Sequence, residues 1–411
     1  MSSIIDVYFF SEGVYMNEKM RQLGAKRSVI RELFEYGNKR KAEIGTENVF
    51  DFSLGNPSVP APHAVGAELT RLLTETPAVQ LHGYTSAQGD AGVRRAIADY
   101  LNRTYDAGAD ANLLYLTVGA AASLTISLTA LLNEGDEVIL LAPFVPEDRV
   151  FVERTGAKVV SVLSDMDTLQ PDFEAFEKAF TSRTRAVLVN SPNNPTGAVL
   201  TEESVCRLTE MMRGMEKKFG APIYLISDEP YRELVYGDIK VPYLTNYYDN
   251  TLVCYSFSKS LSLPGERIGY ILVSSKVENA KAIYEAVCGA GRALGFVCAP
   301  ALFQKLIPAC LGMTSDLTVY ETNRQLLLDA LTEYGFSVVP PDGAFYLFVR
   351  SPEADATAFA ERAKGMELLL VPSDDFGCGG FVRISYCVST EQIKRSLPAF
   401  RRLAESYGLT K

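Results

Sequence analysis

Between about residues 90 and 275, helical patterns alternate with short apolar strands, and few folds accept that rhythm. Val138–Ala142, Ala186–Asn190, Tyr224–Ser227, Leu252–Phe257 and Tyr270–Val273 each read as a run of apolar, β-branched and aromatic residues. Buried strands separated by helices predict a largely parallel sheet covered by helices. Such a sheet binds ligands at the carboxyl ends of its strands. After Pro300 the pattern changes: helices are expected over 301–311 and 316–334, then strands at Ala344–Val349 and Phe381–Tyr386. This reads as a smaller α/β unit. Residues 17–45 read as one charged amphipathic helix, and Asp51–Pro62, rich in Gly and Pro, as a loop. The expected division is an amino-terminal arm and helix (1–60) joining the small domain, a large ligand-binding domain (61–299), and a small carboxyl-terminal domain (300–411). Residues 1–15 read either as a short arm or as an artefact of an early start, because Met16 opens a more conventional beginning.

Composition removes several classes of function. A net charge of -10 disfavours nucleic acid or an anionic membrane as the main partner. No apolar run is long enough to span a bilayer, and the first residues lack a signal peptide's basic and apolar stretches. The seven cysteines form no Cys-x-x-Cys pair, which fits reduced thiols in a cytoplasmic protein. His63 and His82 are the only histidines. A multi-histidine metal site and a Ser-His-Asp triad are therefore not expected, and no metal is. The chemistry must come from other groups, with a cofactor the natural source.

The strand ends supply those groups. Lys259 follows the strand Thr251–Phe257 in Ser256-Phe257-Ser258-Lys259, with Arg267 nearby in Gly265-Glu266-Arg267-Ile268-Gly269. A lysine there can snorkel to water. It is also well placed as a nucleophile, since burial and a neighbouring cation both lower an amine's pKa. Ser191-Pro192-Asn193-Asn194-Pro195-Thr196-Gly197 is a rigid turn that aims Asn194 at one point. Asp228, in Ser227-Asp228-Glu229-Pro230-Tyr231, sits where an apolar strand stops, and a part-buried carboxylate needs a cation or strong donor. Gly119-Ala120-Ala121-Ala122-Ser123 leads into a helix through about Leu132, where free N–H groups and the helix dipole favour an anion. Small residues at a helix start also serve tight packing. Taken together, an amine, a carboxylate, a pair of phenol-binding side chains (Asn194, Tyr231) and an anion cradle match one ligand, pyridoxal phosphate.

With these segments in view, the chain closely resembles the class I/II aminotransferases of fold type I, the aspartate aminotransferase superfamily, from about residue 50 to about 400. The resemblance rests on Tyr84–Gly89 with Val93-Arg94, Thr117–Ala120, Asn193–Gly197, Asp228–Tyr231, Ser256–Lys259 with Gly265–Gly269, and Phe381–Ser385. It implies a large domain with a mostly parallel, seven-stranded sheet sandwiched by helices, plus a smaller α/β domain. It implies that Lys259 carries the cofactor as a Schiff base and shuttles the proton, and that Asp228 pairs with the pyridine nitrogen. Asn194 and Tyr231 would contact the ring oxygen. Gly119, Ala120, Ala121, Ser256, Ser258 and Arg267 would hold the phosphate. Tyr84 would reach a neighbour's phosphate, so a homodimer with shared active sites is implied. Arg383 would clamp the substrate α-carboxylate, with the Gly55 backbone and Asn194 beside it. Arg292 is a candidate for a second, side-chain carboxylate. One departure stands out: the family stacks an aromatic ring on the cofactor, and here that position falls on Val145, with Phe144 beside it.

The expected activity is transfer of an amino group between an L-amino acid (aspartate, alanine or aromatic type) and a 2-oxo acid of the 2-oxoglutarate type. A pyridoxal-phosphate-dependent C–S lyase or cyclopropane-carboxylate synthase shares the same constellation. A transcription regulator on this fold would need a basic DNA-binding segment ahead of it, whereas about 50 residues precede the resemblance in an acidic chain.

Overall fold

The computed structural model describes residues 16–26 and 28–410; the reading of residues 1–15 falls outside them. Strand β1 (Phe50–Asp51) precedes seven strands that form one sheet: β2 (Leu114–Thr117), β3 (Glu137–Ala142), β4 (Lys158–Leu163), β5 (Thr184–Asn190), β6 (Tyr224–Asp228), β7 (Thr251–Ser256) and β8 (Gly269–Val273). Their order across the sheet is β2-β8-β7-β6-β5-β3-β4. Only β8 runs against its neighbours. The five strands expected from hydrophobic runs are all present, with ends within two residues of the reading.

Burial explains why those runs lack alternation. Every residue of β2, β7 and β8 is buried, whereas the edge strand β4 buries only Val162 fully. Apolar side chains on both faces meet helices. Leu252, Ile271 and Val287 share one cluster beneath Ala280–Ala293, and Val187, Leu208 and Met212 share another beneath Glu202–Phe219. Each fully buried Val, Leu or Ile contributes about 1.5–3 kcal/mol.

The register sets the site. Asn190 lies opposite Asp228, and Asp228 opposite Cys254, so the carboxyl ends of β5, β6 and β7 form one edge. Thr117 and Ser256 both pair with Gly269. Because β8 is antiparallel, the residues just before it, including Arg267, reach that same edge.

The remaining strands are β9 (Tyr346–Arg350), β10 (Leu368–Leu369), β11 (Val371–Pro372) and β12 (Phe381–Ser385). β12 lies between β11 and β9, antiparallel to both. β1 pairs in parallel with β10, Phe50 opposite Leu368. The expected single helix over 17–45 is two helices, Glu18–Ala25 and Val29–Ile44. Lys26 is extended, and the Ser28 side chain accepts from the Arg31 N–H, capping the second helix. A charged amphipathic pattern runs through this break, so periodicity did not reveal it.

Candidate active site at the carboxyl edge of the large sheet

One cavity of ≈ 260 Å³ opens at this edge, and Lys259, Asp228, Asn194, Tyr231, Ser256, Ser258, Arg267, Ala120, Ala121 and Val145 line it. Four strands and two helix starts converge there. Gly119 begins the helix Ala120–Leu131 with φ +90, a conformation that favours glycine. A Cβ at that position would stand 2.8 Å from the Arg267 guanidinium, so only glycine admits the arginine beside the helix start. Arg267, itself left-handed with φ 50, donates to the Pro264 carbonyl at 3.0 Å. Ser256 caps the short helix Phe257–Ser260 through the Ser258 N–H, and the two serine hydroxyls lie 2.7 Å apart. Backbone N–H groups, two hydroxyls and a guanidinium thus surround one anion-sized space.

Lys259 sits just inside that helix. Its Nζ donates to the Gly55 carbonyl at 2.7 Å. Burial, helped by the charges of Arg267 and Arg383, pushes its pKa down to about 8. Cys387 opposes this only as a thiolate, and burial pushes that thiol up to about 12, so it is neutral near pH 7. The amine therefore has no counter-ion among its neighbours and gives up its proton easily.

Asp228 ends β6 with 6% of its surface exposed. The Asn190 amide donates to Oδ2 at 3.0 Å, while Oδ1 has no partner. Burial, then the charges of Asp148 and Glu229, hold this carboxyl well above the usual carboxylate range. A buried carboxyl with an unused acceptor is poised for an N–H cation. Next to it, Glu229 forms a buried ion pair with Arg232.

Tyr231 is buried, and its hydroxyl lies 2.9 Å from that of Tyr346 on β9. Asn194 Oδ1 accepts from Arg383 at 3.0 Å. Arg383, on β12, is 2% exposed; it also donates to the Ser53 carbonyl, and its Nε has no partner. Its guanidinium lies 4.9 Å from the Tyr346 ring centroid. Burial lowers its pKa, so an anion there is favoured. A Cβ on Gly55 would fall 2.1 Å from the Tyr346 hydroxyl, so a side chain is excluded where the chain passes the amine.

Three expected residues lie elsewhere. Tyr84 is 100% exposed. Arg292, at the end of the helix Ala280–Ala293, is exposed and does not line the cavity. Phe144 packs its ring against the Gly377 backbone and lies outside the cavity lining, which leaves Val145 as the residue of that pair on the wall. Reasoning from sequence missed Asn190, Tyr346 and Asp148. Asn190 carried a usable signal, a polar residue ending an apolar strand, as at Asp228. Tyr346 and Asp148 carried none.

These groups fit pyridoxal phosphate: the anion space takes its phosphate, Lys259 its aldehyde, and the unused Asp228 oxygen its ring N–H. Among the described residues no group of three or more His, Cys, Asp or Glu could hold a metal ion.

Comparison with known proteins agrees. The sequence model of the family "aminotransferase class I and II" matches residues 47–400. An aspartate aminotransferase of Thermotoga maritima is 30% identical over 378 residues, 90% of this chain and 95% of that protein. An aspartate/prephenate aminotransferase of Thermus thermophilus is 32% identical over 358 residues, 85% of this chain and 89% of that protein. Among solved structures, an aminotransferase of Eubacterium rectale superposes with TM-score 0.94 at 54% identity, covering 96% of this chain and 100% of that one. The Thermotoga maritima aspartate aminotransferase superposes with TM-score 0.83 at 28% identity, covering 94% and 99%. The chain thus belongs to the class I and II aminotransferases, and is a pyridoxal-phosphate-dependent transferase.

Proposed function

We propose that the enzyme moves an amino group from a dicarboxylic L-amino acid of the aspartate type to a 2-oxo acid, with Lys259 as proton carrier. The buried Lys259 amine, with its lowered pKa and no counter-ion, carries this reading. Bound pyridoxal phosphate supplies an electron sink for negative charge at the substrate α-carbon. Lys259 would hold the cofactor through its amine and, when not so engaged, would be the base that takes up the substrate's α-proton and carries it. Asp228 keeps the ring nitrogen protonated. Asn194 and Tyr231 hydrogen-bond the phenolic oxygen. The Ala120 and Ala121 N–H groups, Ser256, Ser258 and Arg267 hold the phosphate. Arg383 receives the α-carboxylate, with its unpartnered Nε free to form one arm of a bidentate pair.

The same reading includes a homodimer. Tyr84 is fully exposed and does not line its own cavity, and the segment behind it is tied to the one after Arg292: the Gln304 amide donates to Thr85 Oγ1 at 3.1 Å, and the Cys298 N–H to the Ala87 carbonyl at 3.3 Å. Leu73, Val79 and Val297, also exposed, add apolar surface. A second copy that covers this surface would receive Tyr84 at its phosphate and Arg292 at the substrate side chain. The names of the Thermotoga and Thermus relatives support an aspartate-type donor. Seven free cysteines support a reducing, cytoplasmic setting, and no helix among the described residues is long and apolar enough to cross a membrane. We further assign the described residues up to 60 to the small domain with those from 300 on, a grouping supported by the β1–β10 pairing.

The test is a half-reaction panel. The yellow enzyme is mixed with single amino acids, and loss of its visible absorbance is followed. Aspartate and glutamate should discharge the colour fastest. Pyruvate and ammonia released from a cysteine conjugate without an added oxo acid would instead mark the C–S lyase. Indifference to every amino acid would sink the assignment.

A further inference from the structure

Asp148 has no task in the chemistry above, yet it is built into the same wall. It lies in the first turn of the helix Pro146–Glu153 and is 3% exposed, while its neighbours Glu147 and Arg149 are exposed. Its Oδ2 has no partner, and it lines the cavity with Asp228, whose Oδ1 has none either.

No cation is available to it. Arg149 turns away, 5.6 Å from the Phe144 ring centroid and 3.5 Å from Glu153. The helix Ala120–Leu131 contributes Ala120, Ala121 and Leu124 to this wall, none of them charged. Glu147, also on the cavity, adds negative charge. Lys259, Arg267 and Arg383 are the cations near the cavity, and each has a partner assigned above. Two buried carboxyls in one wall, with one cation to face, resist ionising together near neutral pH.

We infer that Asp148 is a positioning residue that acts through Asp228: the two form a buried acid pair holding one negative charge, the proton staying on Asp148 while Asp228 is ionised against the ring nitrogen. This rests on Asp228 facing the ring. Burial, with the Glu147 charge beside it, pushes Asp148 up to about 7, and the Asp148 charge is the largest one acting on Asp228. A neutral Asp148 leaves the wall with one anion for one ring cation. An ionised Asp148 would draw the proton of the pair back onto Asp228 and weaken its claim on the ring.

The sign of the pH effect follows. Both carboxyls bind protons more tightly when folded than when unfolded, so the stability they contribute is full below about pH 4 and is lost as pH rises, for Asp148 through about 7. The test measures melting temperature between about pH 5 and about pH 8 for the wild type and Asp148→Asn, as apoprotein and saturated with pyridoxamine phosphate. Asparagine mimics the protonated acid. In the apoprotein, where Asp148, Asp228 and Glu233 all contribute, the substitution should remove about a third of the fall over this range, and Asp228→Asn should do the same. With each other's charge gone, the two substitutions should add to less than their sum at about pH 8. In the complex the ring nitrogen holds Asp228 ionised, so Asp148→Asn should remove most of the remaining difference. Glu233, another buried acid pushed up to about 7, contributes equally to both proteins and cancels. An unchanged fall in both forms, or strict additivity, would overturn the acid pair. Failure of pyridoxamine phosphate to raise either melting temperature would overturn the cofactor role of the pair, while the apoprotein comparison still reports on the carboxyls themselves.

Discussion

The two ends of the active site are built differently. The cofactor end is assembled from strand ends of one sheet: Asp228, Ser256, Lys259 and Arg267 are held by registered strands, short helices and backbone hydrogen bonds within one chain. The substrate side-chain end is open. Its assigned contributor, Arg292, is exposed and does not line the cavity, and the same holds for Tyr84, assigned to a neighbour's phosphate. The first end fixes the chemistry, and the second leaves specificity to whatever covers that surface.

Substitutions can break this contrast. Lys259→Ala should abolish transamination by about 10⁴-fold or more while cofactor still binds without a covalent link; substantial turnover would refute the assigned role. Asp228→Ala should slow the reaction by about 10²–10³-fold. The loss should fall on proton abstraction, so α-deuterated substrate should show a larger isotope effect, and an unchanged one would contradict the role. Arg383→Lys keeps the charge and loses the fork. KM should rise about 30-fold for donor and acceptor alike, and a change confined to one of them would show that Arg383 does not read the shared α-carboxylate. A pH series sharpens the contrast from the cofactor end. With a pKa of about 8 the amine is protonated below and free above, so the rate of cofactor attachment to apoprotein should rise about tenfold from pH 7 to pH 9 and then level. The smallest effect belongs to the open end. Arg292→Leu should weaken aspartate about fivefold and spare alanine, and equal losses would remove Arg292 from substrate recognition.

The same contrast decides what could be read from sequence. Groups at the cofactor end leave local marks, Asp228 where an apolar strand stops and Lys259 just past another, but each alone reads as readily as a solvated charge; only the set of segments taken together points to one ligand. Asn190 offered the same signal and was passed over. Tyr346 was invisible, because nothing in the period of β9 says which aromatic will meet the Tyr231 hydroxyl across the molecule. Phe144 and Val145 are adjacent, and only the path of the chain between the β3 end and the next helix decides which one meets the cavity. The helix break at Lys26 was hidden for another reason. A Ser cap costs no change in amphipathic pattern, so two short helices and one long one look alike.

The segment after β1 touches both cationic side chains of the reaction: the Gly55 carbonyl accepts from Lys259, and the Ser53 carbonyl accepts from Arg383. That segment is carried by a strand paired to β10, remote from the large sheet. Two carbonyl dipoles therefore act as a latch across the mouth of the site. Each such bond to a charged group is worth about 1.5–3 kcal/mol. A substrate carboxylate arriving at Arg383 competes for one point of the latch, and a change of state at Lys259 releases the other. Occupancy of the site thus competes with the two bonds that hold this segment, and a substitution that loosens the β1–β10 pairing should be felt as altered substrate affinity far from where it was made.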